Sequence, residues 1–194
     1  MTSDELLDLA EQTLRRALAN VREHLSDKPL ETLRQRPHPE AWNALECLAH
    51  LNAIARDYLP RQHRAIHLAK ARQWARVPEV HYSAAGKRLL RRLAANKTFK
   101  SKSRYNFYAQ TFDKNTVKSF LIYHEQLLRV VQEARTVNIN RCKVPNPTGW
   151  LSAYPLGNVL EFLARHTERH VAQALRAAGV PAEAIQGASS SLSA

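Results

Sequence analysis

The chain has 194 residues, 44% of them hydrophobic and 24% charged, and a formal net charge of +12. This balance excludes a disordered chain, and the length gives one domain room to bury a real core. No uninterrupted apolar run reaches the ~20 residues of a membrane span, and Cys47 and Cys142 have neither metal nor redox spacing, which argues against a disulfide scaffold.

Taken in order, Ser3-Asp4-Glu5 reads as a capping region. Leu6, Leu7, Leu9, Leu14, Ala17, Leu18, Val21 and Leu25 then recur at helical spacing, which predicts a first long helix over residues 3–25. Ser26 to Pro29 stops it, and Leu30 to Glu40 reads as a connector. The N-terminus shows no signal peptide, so a cytoplasmic protein is expected.

A second helical pattern begins at Trp42 and runs through Leu45, Leu48, Ala49, Ile54, Ala55, Tyr58 and Leu59. Pro60 is expected to kink or interrupt it, with helix resuming from Arg61 to Arg76. A short basic helix is expected over Ser83 to Asn96, followed by a long loop from Lys97 to Tyr108 without helical period. Asn115 to Arg135 gives a third long helix, and Val137 to Tyr154 a second long connector. Asn158 to Gly179 gives the fourth, ended by Gly179 and Pro181. Four long amphipathic helices with two long connections describe an all-α four-helix bundle, with a short extra helix and a long basic loop between the second and third. One bundle domain is expected over residues 1–180, with a Ser-rich flexible tail over 181–194.

The fourth helix carries the chemistry. His166 and His170 are four residues apart, on the face that also holds Val159, Phe162, Leu163, Gln173 and Ala177, while Glu161, Arg165, Glu168 and Arg176 point elsewhere. Two imidazoles turned into a core need partners, and a shared metal is one answer. The best third ligand is His50 on the second helix, whose face includes Asn43, Glu46, Cys47, Ile54 and Asp57, half-polar as a wet pocket requires. Glu46 and Gln173 are candidates to orient a ligand or a nucleophile; for Glu46 an exposed helix carboxylate is an equal alternative. His63 and His67 have the same spacing but sit among Arg61, Arg64, Lys70 and Arg72, where a bound cation is repelled; they read as a solvated face. His24, His38 and His81 read as surface residues, His124 as a structural histidine, and Cys47 as a small core residue.

Trp42, Glu46 and His50-Leu51, the distant His166 and His170 with Gln173, the Thr-Phe-Lys loop, and Trp150 through Tyr154-Pro155-Leu156-Gly157-Asn158 together resemble the DinB/YfiT-like superfamily. The resemblance implies a left-handed, crossed-over four-helix bundle. It also implies a divalent metal, commonly nickel or zinc, on His50, His166 and His170. Relatives include thiol-dependent S-transferases and isomerases using bacillithiol, mycothiol or glutathione. The implied function is therefore a metal-dependent enzyme, a thiol-dependent S-transferase or a hydrolase, acting on a small, anionic or thiol-linked molecule. A homodimer is compatible with such a bundle. The alternatives are a non-catalytic metal-binding or structural protein of the same fold, and a basic module for nucleic acid or another polyanion. The latter rests on Lys87, Arg88, Arg91, Arg92, Lys97, Lys100, Lys102 and Arg104, a stretch without acidic residues followed by Tyr105, Phe107 and Tyr108. A solvated face ranks first for that stretch, steering of an anionic substrate second, and nucleic acid third.

Overall fold

The computed structural model describes residues 1–94, 103–147, 149 and 152–185. Helix α1 spans Ser3–His24, starting at the expected residue, with its cap one residue before the expected capping region. Thr2 is the N-cap: its hydroxyl accepts from Glu5 N at 3.1 Å while Glu5 Oε2 accepts from Thr2 N at 2.7 Å, which satisfies two backbone donors at once. Leu6, Leu7, Ala10, Leu14, Ala17, Leu18 and Val21 form its buried stripe. A short helix, α2 (Leu30–Arg34), stands within the expected connector and is anchored by buried Leu33.

Helix α3 runs without interruption from Ala44 to Ala71, straight through Pro60. This corrects the expected interruption, and the helix also stops short of Arg76. Pro60 lacks the N–H that Arg56 O would accept, but Pro60 and Arg56 are both exposed, so water can serve that carbonyl. One turn on, the Arg61 guanidinium donates to the Asp57 carbonyl. The chain leaves α3 through Gln73, whose φ of 50° breaks the helical path.

Helix α4 covers Ala84–Ala94, α5 Asn115–Ala134 and α6 Leu156–Ala177. The connector before α6 holds a minimal antiparallel pair, β1 (Lys143–Pro145) with β2 (Ala153–Pro155), in register Val144 to Tyr154. The four long helices pack as a ring in the order α1, α6, α3, α5, so α1 lies diagonal to α3, and α5 diagonal to α6. Leu6, Leu14, Leu48, Leu51, Ile66, Phe120 and Leu127 are among the fully buried side chains of the core. Helix α4 lies against α6. After Gly179, at φ 70°, Val180 and Ile185 join the core, and His24 Nε2 meets Ala184 O at 3.1 Å. Ile185 is thus buried against the body while residues 181–184 are exposed; the remainder of the expected tail lies outside the described residues. No described helix is long and apolar enough to cross a membrane.

Candidate metal centre

His50 sits two turns into α3, and the start of that helix is firmly fixed. Asn43 Oδ1 accepts from Glu46 N at 2.9 Å, and Glu46 Oε2 accepts from Asn43 N at 3.0 Å, a second capping box. Glu46 Oε1 accepts from Arg36 Nη2 at 2.5 Å, and Arg36 Nη1 also donates to Ala41 O at 2.5 Å. Helix and connector are thus tied together just before Trp42. The Trp42 ring lies edge-on to His50, with centroids 5.1 Å apart, and stacks on His170 at 6.0 Å.

Across from α3, helix α6 presents His166 and His170 from successive turns. His50 Nε2 lies 2.9 Å from His166 Nε2, and one ring nitrogen from each of the three histidines falls within 4.8 Å of the others. Phe162 stacks under His166 at 5.1 Å. His50 is only 4% exposed, and its Nδ1 is 2.8 Å from the carbonyl of Tyr105. A carbonyl can only accept, so Nδ1 carries the proton and Nε2 keeps its lone pair, turned towards His166. Burial lowers the His50 pKa, and the bond to Tyr105 offsets this in part. Burial, followed by the charges of His170, His50 and Arg169, holds His166 well below the usual histidine range. Burial, then His50 and Arg169, takes His170 down to about 3 against an opposing hydrogen bond with Gln173. All three rings are therefore neutral at pH 7.

This donor set fits a borderline divalent transition metal: three neutral imidazoles, with charge-free lone pairs converging from two rigid helices. The buried Nδ1 atoms of His166 and His170 have no hydrogen-bond partner among the described residues. The three rings thus carry more ligating and hydrogen-bonding capacity than the protein itself satisfies. They open on a cavity of about 650 Å³. Its walls are mostly apolar, with Trp42, Ile54, Tyr58, Leu89, Leu93 and Phe162, and its polar groups include Arg169, Gln173 and Asn106.

A family model for the DinB superfamily matches residues 13–174. The chain belongs to the DinB superfamily. No curated protein and no solved structure matches it.

In this DinB-superfamily chain the expected trio His50, His166 and His170 comes together in space. Of the two residues expected to orient a ligand, Gln173 lines the cavity, but Glu46 does not. Glu46 is 0% exposed, and both its carboxylate oxygens are engaged by the cap and by Arg36. His63 and His67 lie exposed on α3, with His63 Nδ1 4.0 Å from Glu133 Oε1. His124 is 1% exposed, stacks on Phe120 at 3.8 Å and holds Phe120 O at 2.9 Å, and burial takes it down to about 4. It is structural. His38, expected at the surface, is exposed but stands on the cavity rim. Cys47 is buried, and desolvation pushes its thiol up to about 12, as for a core residue.

The basic stretch divides. Lys87, Arg88, Arg91 and Arg92 are exposed on α4, while Leu89 and Leu93 of the same helix line the cavity. Lys97, Lys100 and Lys102 lie outside the described residues. Arg104 Nη2 donates to Asp57 Oδ2 at 2.6 Å, and Tyr105 Oη donates to the same oxygen at 2.7 Å. The sequence names Tyr105 only as an aromatic beside the basic stretch, not as a partner of His50, and gives no role to Arg36 or Arg169. Only Arg169 carried a signal, since at one residue before His170 it flanks the histidine face of α6.

Proposed function

We propose that this protein is a divalent-metal-dependent enzyme of the DinB class, a thiol-dependent S-transferase or hydrolase acting on a small molecule in the 650 Å³ cavity. One observation carries the reading: three neutral imidazoles converge at the wall of a cavity large enough for a substrate and cosubstrate. His50, His166 and His170 would hold nickel or zinc. A metal so held supplies Lewis-acid chemistry, lowering the pKa of a bound thiol or water towards neutrality.

The protein's own residues do the rest. The Tyr105 carbonyl keeps the His50 proton on Nδ1 and turns Nε2 to the site. Trp42 and Phe162 pack against the histidines and keep bulk water from their flanks. Gln173, beside His170 on the cavity wall, orients the incoming molecule through its amide. Glu46 acts at one remove, holding the start of α3 and hence His50.

Elemental analysis of the untagged protein tests the reading, with His50→Ala, His166→Ala and His63→Ala alongside. Near-stoichiometric nickel or zinc should vanish in the first two variants and persist in the third. Thiol transfer should then be found with bacillithiol, mycothiol or glutathione and a panel of electrophiles. Metal without turnover would favour a non-catalytic member of the family. Absence of metal after loading, with salt-dependent retention of RNA or DNA, would favour a polyanion-binding role for the exposed cations of α4.

A further inference from the structure

The half-buried arginines other than Arg169, namely Arg16, Arg36, Arg61 and Arg135, are each committed to a carboxylate or a backbone carbonyl. Arg15 pairs with Glu11, Arg16 with Glu168, Arg36 with Glu46, Arg104 with Asp57 and Arg165 with Glu161. Arg169 differs: it is half-buried and lines the cavity, yet its guanidinium has no ion pair or hydrogen bond with another described residue. The nearest carboxylate along its helix, Glu168, is taken by Arg16 of α1. Arg169 flanks the histidine face of α6, close enough that its charge is felt at both His166 and His170. A guanidinium withdrawn from water and left without a counter-charge is costly, so such a residue is kept where a ligand supplies the anion.

The remaining walls say what the anion is attached to. Trp42, Ile54, Leu89, Leu93 and Phe162 offer apolar and aromatic surface. Apart from the three histidines, the other ionisable groups among the described lining residues are His38 and Glu40, both exposed at the rim and screened by water, and the phenols of Tyr58, Tyr105 and Tyr154. A second anionic group at the rim would meet Glu40.

We infer that Arg169 is the anion-binding residue of the cavity, and that the substrate it receives is a small organic monoanion, a carboxylate on an aromatic or branched apolar body. This rests on the cavity being the substrate site, as proposed above, but not on the metal being bound. The carboxylate takes the guanidinium fork, the apolar body lies along Trp42, Leu89 and Leu93, and the molecule is held with its reactive part facing the three histidines.

Isothermal titration of the full chain, metal-free and zinc-loaded, with hydrocinnamate, its neutral amide and phenylpropylamine tests this. Hydrocinnamate should bind at least about tenfold tighter than the amide in both forms, the ratio expected of a charge-assisted bond. Arg169→Gln should remove that preference and leave the amide's affinity within about twofold; Arg169→Lys should keep part of it. Retained amide binding and an unchanged circular dichroism spectrum show that a variant is folded, and Arg169→Met serves as a second neutral variant. Preference that survives in Arg169→Gln, tightest binding of the amine, or no binding of any of the three to the folded wild type overturns the inference. Preference confined to the zinc-loaded chain and unaffected by Arg169→Gln overturns it while leaving the metal reading standing. Failure of the wild type to take up zinc sinks the metal reading, and the metal-free titration then decides the role of Arg169 alone.

Discussion

Tyr105 serves His50 with its backbone and Asp57 with its side chain: its carbonyl accepts from His50 Nδ1 at 2.8 Å, and its hydroxyl donates to Asp57 Oδ2 at 2.7 Å. Asp57 and His50 both stand on α3, two turns apart, so the Ser103–Tyr105 turn is clamped along one helix face. Groups that orient a metal-ligating histidine commonly change metal affinity by about 10–100-fold when removed. Tyr105→Phe should therefore weaken zinc affinity about tenfold, read by competition with a chromophoric chelator. Thermal stability of the metal-free protein should fall only slightly, because a single neutral donor is lost and Asp57 keeps its bond to Arg104. Equal loss of stability and affinity would mean that the turn is a general brace.

Glu46 is a structural carboxylate. Glu46→Ala removes a capping partner and leaves the Arg36 guanidinium, 25% exposed at its side chain, without its buried counter-charge. The expected cost is about 2–4 kcal/mol in denaturant unfolding, combining a lost cap and a broken, largely buried pair. Metal stoichiometry at low temperature should remain that of the wild type. Loss of metal at unchanged stability would return Glu46 to the site.

Gly86 meets Asn158. A Cβ at Gly86 would fall inside contact distance of the Asn158 amide atoms, and Asn158 Oδ1 already accepts from Ser83 N at 3.2 Å. Gly86→Ala should push α4 from α6 at a cost of about 1–3 kcal/mol. It should also speed hydrogen exchange in α4 and open the Leu89–Leu93 wall. Adding Asn158→Ala should recover part of the loss, the coupling expected of two residues in direct contact.

Acid should destabilise the metal-free protein. His124 and His170 have folded pKa values near 4 and 3, below the usual 6.5, because burial opposes their charge. Above pH 6.5 these rings are neutral in both the folded and the unfolded state and contribute no pH dependence. Below it the unfolded chain takes up protons that the folded chain refuses, so stability falls as pH drops from 6.5 towards 4. For fully buried His124 the slope is at most about 1.4 kcal/mol per pH unit. A Tm series over that window should show the decline, shallower in His124→Gln. A flat profile would mean that the rings are charged in the folded protein.

Much of the site was legible in the chain. The period of α6 placed His166, His170 and Gln173 on one face, and the half-polar face around His50 marked α3 as its partner. Asn43-x-x-Glu46 is a capping-box pattern, but as a carboxylate near a candidate ligand Glu46 was read for chemistry. The uninterrupted course through Pro60 was hidden because tertiary packing on both sides carries α3 onward where local preference favours a break. Tyr105 had no signature at all: what it offers His50 is a carbonyl, which every residue possesses, brought in from 55 positions away.

The three histidines are distributed unevenly along the chain, one on α3 and two on a helix that begins only at Leu156. While the protein is being synthesised, a chain still lacking α6 carries a lone ligand and cannot close the site. If the site takes a metal, acquisition would therefore be a late event, available only after the last long helix has emerged and docked. A filled centre would certify that the bundle has been assembled, and an ion seated there would cross-link the two helices as they fold.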